Sequence, residues 1–295
     1  MKYLIGLLLC MLSYQNIKAC DACGCASAGS MLGLVPNYMG HFVSFRGRYA
    51  SFRANDGSGS NEIYQGVLQI GYRPSFAPRW NVLGILPYQQ MTHHSYGEVN
   101  HRMGLGDASA ILSYRLLERS DTLKSVVKQQ LQVGLGIKIP TGAYEAQTDQ
   151  SLTPANFQLG TASWDTWFQL RYQLQVRALT VLAEANYRYN FENADDYRFG
   201  DQLSLTASVA YNYATPRINF VPYGGLSYEY LALDIFNLYR QPRTGGNGLY
   251  AVTGIEAFVK RFSVGFSAQL PLVSDYAQGE LSAYARYMGS ITLFF

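Results

Sequence analysis

The residues best suited to chemistry lie near the start of the chain. Cys20-Asp21-Ala22-Cys23-Gly24-Cys25 places three thiols within six positions. Thiolates this close suit a soft ion such as Cu(I) or Zn(II), and Met31, Met39 and His41 follow at linker distance. An odd number of thiols leaves one unpaired unless it is acylated or bonded elsewhere. A Cys23–Cys25 bridge would close a very small, strained ring, while Cys20–Cys23 or Cys20–Cys25 is easier. A lipidated or disulfide-bonded segment without metal therefore stands beside the metal reading.

A second group is His93, His94 and His101. They fall in a stretch expected to be a long external loop, where they either catch a metal or stay solvated. Lipid hydrolysis would need a Ser beside a His. No GxSxG occurs, and no expected strand sets the two side by side. The main reading is therefore not an enzyme, with an outer-membrane lipid hydrolase as a lesser alternative.

The third group is spread along the chain. Arg46, Arg48, Arg73, Arg115, Lys138, Arg171, Arg188 and Arg286, with Asp107, Asp165, Glu184 and Glu229, recur on polar faces of alternating segments. The elements that must position them show a period of two. Leu131, Val133, Leu135, Ile137 and Ile139 oppose Gln130, Gln132 and Lys138. Trp164, Thr166, Phe168, Leu170, Tyr172, Leu174 and Val176 oppose Asp165, Gln169, Arg171, Gln173, Gln175 and Arg177. That period means strands with one wet and one apolar face.

Twelve strands are expected, near 41–54, 62–74, 80–92, 105–118, 125–140, 160–176, 178–191, 201–214, 217–232, 248–260, 261–273 and 280–295. The facing of 80–92 and 248–260 is left open by their poor alternation. The connections alternate between long (55–61, 93–104, 141–159, 192–200, 233–247, 274–279) and short. Long outer loops, short periplasmic turns and an even strand count describe a transmembrane antiparallel β-barrel. Tyr187, Tyr189, Tyr211, Tyr213, Tyr228 and Tyr230 near strand ends suit an aromatic girdle. A soluble sandwich, the competing fold, has no need of such girdles or of alternating loop lengths. The polar face then lines a lumen of roughly 12 Å backbone radius. Its charges either border a water path with some anion bias or close it as an ion-paired plug.

Composition agrees. Of 295 residues only 15% are charged and 14% are aromatic, and the mean hydropathy is −0.06. Disorder and a bundle of transmembrane helices are both excluded. Residues 1–19 read as a secretory signal with an apolar core from Tyr3 to Leu12 and a small residue, Ala19, for cleavage. Ile17-Lys18-Ala19-Cys20 also loosely fits a lipoprotein signal, with Cys20 acylated. Without Lys2 and Lys18 the balance is 21 basic against 20 acidic residues, which calls for no nucleic-acid partner. The expected organisation is a signal peptide (1–19), a periplasmic cysteine segment (20–40) and a barrel (41–295) in outer-membrane lipid. The terminal Phe295, closing an alternating strand, resembles the signal read by the barrel-insertion machinery.

Four motifs in order carry a family resemblance. They are Gly104-Leu105-Gly106-Asp107 with the strand to Leu116, Gly134 to Gly142 (GLGIKIPTG), Phe157 to Asp165 (FQLGTASWD), and Gln269-Leu270-Pro271-Leu272. Together they resemble the outer-membrane channels of the MetA-pathway phenol-degradation family over roughly residues 41–295. Ala162 stands where that family usually has Gly. The resemblance implies a transporter of small, often aromatic, compounds, without naming a solute. The motif glycines and Pro140 read as turn and strand-end geometry. The combined expectation is passive passage of a small solute with no required cofactor. The alternative is a barrel linked to copper or zinc through Cys20, Cys23 and Cys25.

Overall fold

The computed structural model describes residues 41–55, 59–95, 98–120, 127–145 and 157–295. The expected signal peptide and cysteine segment lie outside the described residues. No described helix is long and apolar enough to cross a membrane; any crossing is made by strands. In chain order these are β1 (Phe42–Ala54), β2 (Gly59–Tyr72), β3 (Trp80–Ser95), β4 (Glu98–Leu105), β5 (Ala108–Ser120), β6 (Val127–Ile139), β7 (Asp165–Val176) and β8 (Leu179–Asn190). Then follow β9 (Tyr197–Arg198), β10 (Gln202–Tyr211), β11 (Tyr213–Ala214), β12 (Asn219–Leu231), β13 (Ile235–Phe236) and β14 (Tyr239–Arg240). The last are β15 (Gly246–Val259), β16 (Phe262–Tyr276), β17 (Leu281–Ala283) and β18 (Arg286–Phe294).

Each long strand pairs antiparallel with its sequence neighbours, and β18 pairs back onto β1 from Phe42↔Phe294 to Tyr49↔Tyr287. With β4 and β5 forming one staggered wall element, and β17 and β18 another, the ring is a closed twelve-stranded cylinder. Closure matters because a sheet edge in lipid would leave backbone donors and acceptors unpaired. β9, β13 and β14 form a separate small sheet within the connections that follow β8 and β12.

The wall is inverted relative to a soluble protein. On β6, Leu135 is 55% exposed and Ile137 44%, while Gln132 and Lys138 are only 3% and 5% exposed. The same inversion sets exposed Phe168 and Leu170 against buried Gln169 and Arg171 on β7. Apolar side chains face outward and polar ones inward, as the period-two pattern requires in lipid. Tyr187, Tyr189, Tyr211, Tyr213 and Tyr230 are exposed near strand ends, where an interfacial girdle belongs. The two strands of open facing resolve as well. Leu83, Ile85 and Gln89 of β3 and Tyr250, Val252 and Glu256 of β15 are buried on the inner side. They alternate poorly in sequence because the inner face there is itself partly apolar.

Two expectations need correction. Residues 93–104 are not a loop. β3 and β4 continue as a paired ladder from Tyr88↔Leu105 to Ser95↔Glu98, so His93, His94 and His101 sit on strands. The strict alternation of loop length also fails at the start. Only 55–58 separate β1 from β2, whereas 73–79 separate β2 from β3. Arg73 therefore follows the end of β2 and stands at the rim of the wall.

Candidate functional site

The lumen is the candidate site. Alternation along the strands brings Arg46 and Arg48 (β1), Arg115 (β5), Lys138 (β6), Arg171 (β7), Glu184 and Arg188 (β8), Glu229 (β12) and Arg286 (β18) to the inner face. Their charges are organised in clusters rather than scattered.

The first cluster joins four consecutive wall strands. Arg286 Nη1 donates to Glu229 Oε1 at 2.9 Å and Oε2 at 2.8 Å. Its Nη2 donates to the Tyr250 hydroxyl at 2.6 Å, and the guanidinium lies 4.2 Å from the centre of that ring. Tyr250 and Tyr276 share a hydrogen bond of 2.8 Å. All four side chains are buried. Sequence reading missed the tyrosines, since Tyr in a membrane barrel first suggests a girdle. The neighbouring Gly248 was the available signal. A Cβ there would stand 2.4 Å from the Tyr276 hydroxyl, so only glycine leaves room for the pair.

The second cluster unites three of the sequence motifs. Lys138 Nζ lies 3.1 Å from Asp107 Oδ2, and it also contacts Asp165 Oδ2 and the Thr161 hydroxyl. Asp107 accepts hydrogen bonds from Gly142 N at 2.9 Å and from Thr161 N at 3.0 Å. Asp165 accepts one from Ser163 Oγ at 2.9 Å. Thr141 Oγ1 donates to Gly106 O at 3.0 Å and accepts from Ala108 N at 2.8 Å. Gly142 and Gly160 meet backbone to backbone. A Cβ on Gly142 would fall 2.8 Å from the Cα of Gly160. The motif glycines thus serve close approach, and the motif charges tie Gly160 to Asp165 onto the wall.

A third cluster lies further along the inner face. Arg171 donates to Glu184 at 2.8 and 2.9 Å, Asn186 donates to Glu184 at 2.7 Å, and Gln169 donates to Asn186 at 3.1 Å. Arg188 stacks 4.7 Å over the Trp167 ring. Arg115 pairs with Glu118. Glu256 accepts from Ser263 at 2.9 Å and is the strongest attracting charge on Arg46.

The outer end of the lumen is apolar. Ala50, Phe52, Ile63, Met91, Leu231, Tyr250, Tyr276 and Leu281 form one buried layer, joined by Phe157 and Leu159 from the connection between β6 and β7. Below it, inward residues on facing walls keep partial solvent contact: Arg48 and Met288 on one side, Glu184, Thr206 and Ser208 on the other. Below that layer the lumen holds both these part-exposed polar residues and a second apolar cluster that includes Phe42, Ile111, Trp167 and Phe294. Outside the wall, Tyr144 packs on Tyr197 and Phe199, and burial pushes its phenol above the usual range.

The sequence-level metal candidates do not converge in the described part. His93 bonds Asn61, and His101 bonds Thr92 at 3.0 Å. His41 rests on the Tyr72 ring at 5.1 Å. Among the described residues no group of three His, Cys, Asp or Glu is placed to hold a metal ion. Cys20, Cys23, Cys25, Met31 and Met39 lie outside the described residues.

A closed cylinder with an apolar belt and a charged, polar interior defines an outer-membrane β-barrel of a Gram-negative bacterium. Within that class, the chain belongs to the family described as "Putative MetA-pathway of phenol degradation", which matches residues 57–236. Its fold is similar to that of an outer membrane channel from Pseudomonas putida F1, with TM-score 0.66, 14% identity, and coverage of 87% of this chain and 96% of that one. The β domain of the Bordetella autotransporter BrkA is also similar, with TM-score 0.53, 11% identity, and coverage of 87% and 100%. The transport unit of the Escherichia coli autotransporter AIDA-I gives TM-score 0.52 at 11% identity, covering 92% and 94%. No curated protein matches the chain in sequence.

Proposed function

We propose that the barrel is a passive outer-membrane channel for a small solute and is not an enzyme. The observation that carries this reading is the wet inner face. Charged and polar side chains line a membrane-crossing cylinder, and those on facing walls at Arg48, Glu184 and Thr206 still touch solvent. The Pseudomonas protein of similar fold is itself described as an outer membrane channel. Of the three histidines on β3 and β4, His93 and His101 bond Asn61 and Thr92, whereas His94 stands opposite Ser60 across the β2–β3 ladder, a juxtaposition the sequence did not lead one to expect. Purified protein in planar bilayers should give discrete conductance steps, and liposomes bearing it should leak small solutes. A silent bilayer together with tight liposomes would overturn the proposal.

A second reading rests on the spacing of Cys20, Cys23 and Cys25. In it, the segment before β1 holds Cu(I) or Zn(II) through thiolates. Titrating Cu(I) into the reduced wild type and into a Cys20→Ser, Cys23→Ser, Cys25→Ser variant tests it, and equal uptake by both refutes it. For assembly, we propose that Phe295 is read by the barrel-insertion machinery. Deleting Phe295 should lower the amount of barrel recovered from outer membranes.

A further inference from the structure

Most inward cations have an assigned counter-charge. Lys138 has Asp107 and Asp165, Arg171 has Glu184, Arg115 has Glu118, and Arg286 occupies both oxygens of Glu229. Arg48 is different. It makes no hydrogen bond or ion pair with any described residue, and its Nε is enclosed without an acceptor. The charges it feels most are Arg286, which repels it, and Glu229, which attracts it but whose two oxygens already accept from Arg286. Enclosing a guanidinium without an acceptor is unfavourable. A lumen that keeps one in contact with solvent holds a place for a mobile anion.

The surroundings narrow the chemistry of that anion. Directly across the ladders from Arg48 stand Gln65 on β2 and Met288 on β18. One inward step towards the periplasm is Arg46. One step outward is Ala50, the first residue of the apolar layer that holds Phe52, Ile63, Met91 and Tyr250. A guanidinium thus sits at the boundary between the wet lumen and an apolar ceiling. Its planar fork matches a carboxylate through two parallel hydrogen bonds. Met288, which keeps solvent contact beneath the apolar layer, offers apolar surface to a short hydrocarbon body.

We propose that Arg48, flanked by Gln65 and Met288 beneath the apolar layer, is a binding subsite for a small organic carboxylate with an apolar body. The carboxylate engages the Arg48 guanidinium, and the hydrocarbon lies along Met288. The subsite deepens the channel reading and rests on the wet lumen that reading describes.

The test uses the whole barrel in lipid nanodiscs, with hexanoate, acetate and hexanamide as probes and calorimetry as the readout. Wild type should bind hexanoate saturably. It should bind acetate and hexanamide about tenfold more weakly or worse, as lost burial and a lost charged hydrogen bond require. Arg48→Gln should weaken hexanoate about tenfold or more, while Arg48→Lys should retain part of the binding. Heat-modifiable migration on gels checks that each variant is a folded barrel. Equal hexanoate binding by wild type and a folded Arg48→Gln, or no saturable binding by wild type, overturns the subsite. Conductance is measured separately. Arg48-dependent binding in a silent barrel upholds the subsite and removes the channel reading. A conducting barrel that ignores hexanoate does the reverse.

Discussion

Arg286 on β18 reaches both carboxylate oxygens of Glu229 on β12, at 2.9 and 2.8 Å, although β15 and β16 separate their strands in the wall. The pair spans the interior and cross-links strands that share no backbone hydrogen bonds. Both side chains are nearly inaccessible, at 2% and 1%. Breaking such a pair strands a buried charge, which costs about 3–5 kcal/mol. Glu229→Gln should therefore lower the unfolding free energy read from detergent–urea titrations by about 3–5 kcal/mol. Glu229→Gln combined with Arg286→Met should recover much of the loss. A single variant as stable as wild type would show that lumen water already screens the pair.

Lys138 holds the segment from Gly160 to Asp165 against the wall through Asp107, Asp165 and Thr161. Lys138→Met leaves two buried carboxylates facing each other without their cation, an arrangement that favours displacement of the segment. Protease added to the outside of cells should cut between β6 and β7 faster in this variant. Cleavage at the wild-type rate would mean that the backbone bonds to Asp107 suffice.

Phe157 and Leu159 join the apolar layer at the outer end of the lumen. Replacing both by Ala removes side chains that narrow the layer, and an apolar constriction slows ions by excluding water. The double variant should show larger single-channel conductance than wild type. Unchanged conductance would place the narrowest point lower, among Trp167, Phe42 and Phe294.

Leu135 stands on the outer face of β6 and is 55% exposed. Leu135→Arg puts a charge in the hydrocarbon region and should destabilise the barrel by about 2–4 kcal/mol. Leu112→Gln, on the outer face of β5, should cost less. Refolding into lipid vesicles with denaturant titration measures both. A neutral Leu135→Arg would contradict the inside-out assignment of the wall.

The cylinder was legible in the chain because lipid outside and water inside impose a strict period of two, and β6, β7 and β8 obey it almost residue by residue. The charged lumen candidates were read from the same alternation; Arg73 falls past the end of β2, and Asp107 falls between β4 and β5. The β3–β4 ladder was not legible. Thr92, His93 and His94 interrupt the apolar alternation of β3, while on β4 the alternation of exposed Val99, Met103 and Leu105 was passed over.

Sequence alone determined the class of wall, the direction most strands face and the charges available to the interior, since these depend on local alternation; the facing of β3 and β15 was decided by the structure. Which charges meet was decided only in three dimensions. Glu229 finds Arg286 across two intervening strands, Lys138 gathers two distant aspartates, and Arg48 is left over. Barrel closure and register set those distances, and neither is written in any single strand. The same holds for the outer apolar layer: Phe157 and Leu159 lie in a connection without periodicity, and only the fold of that connection brings them to the lumen.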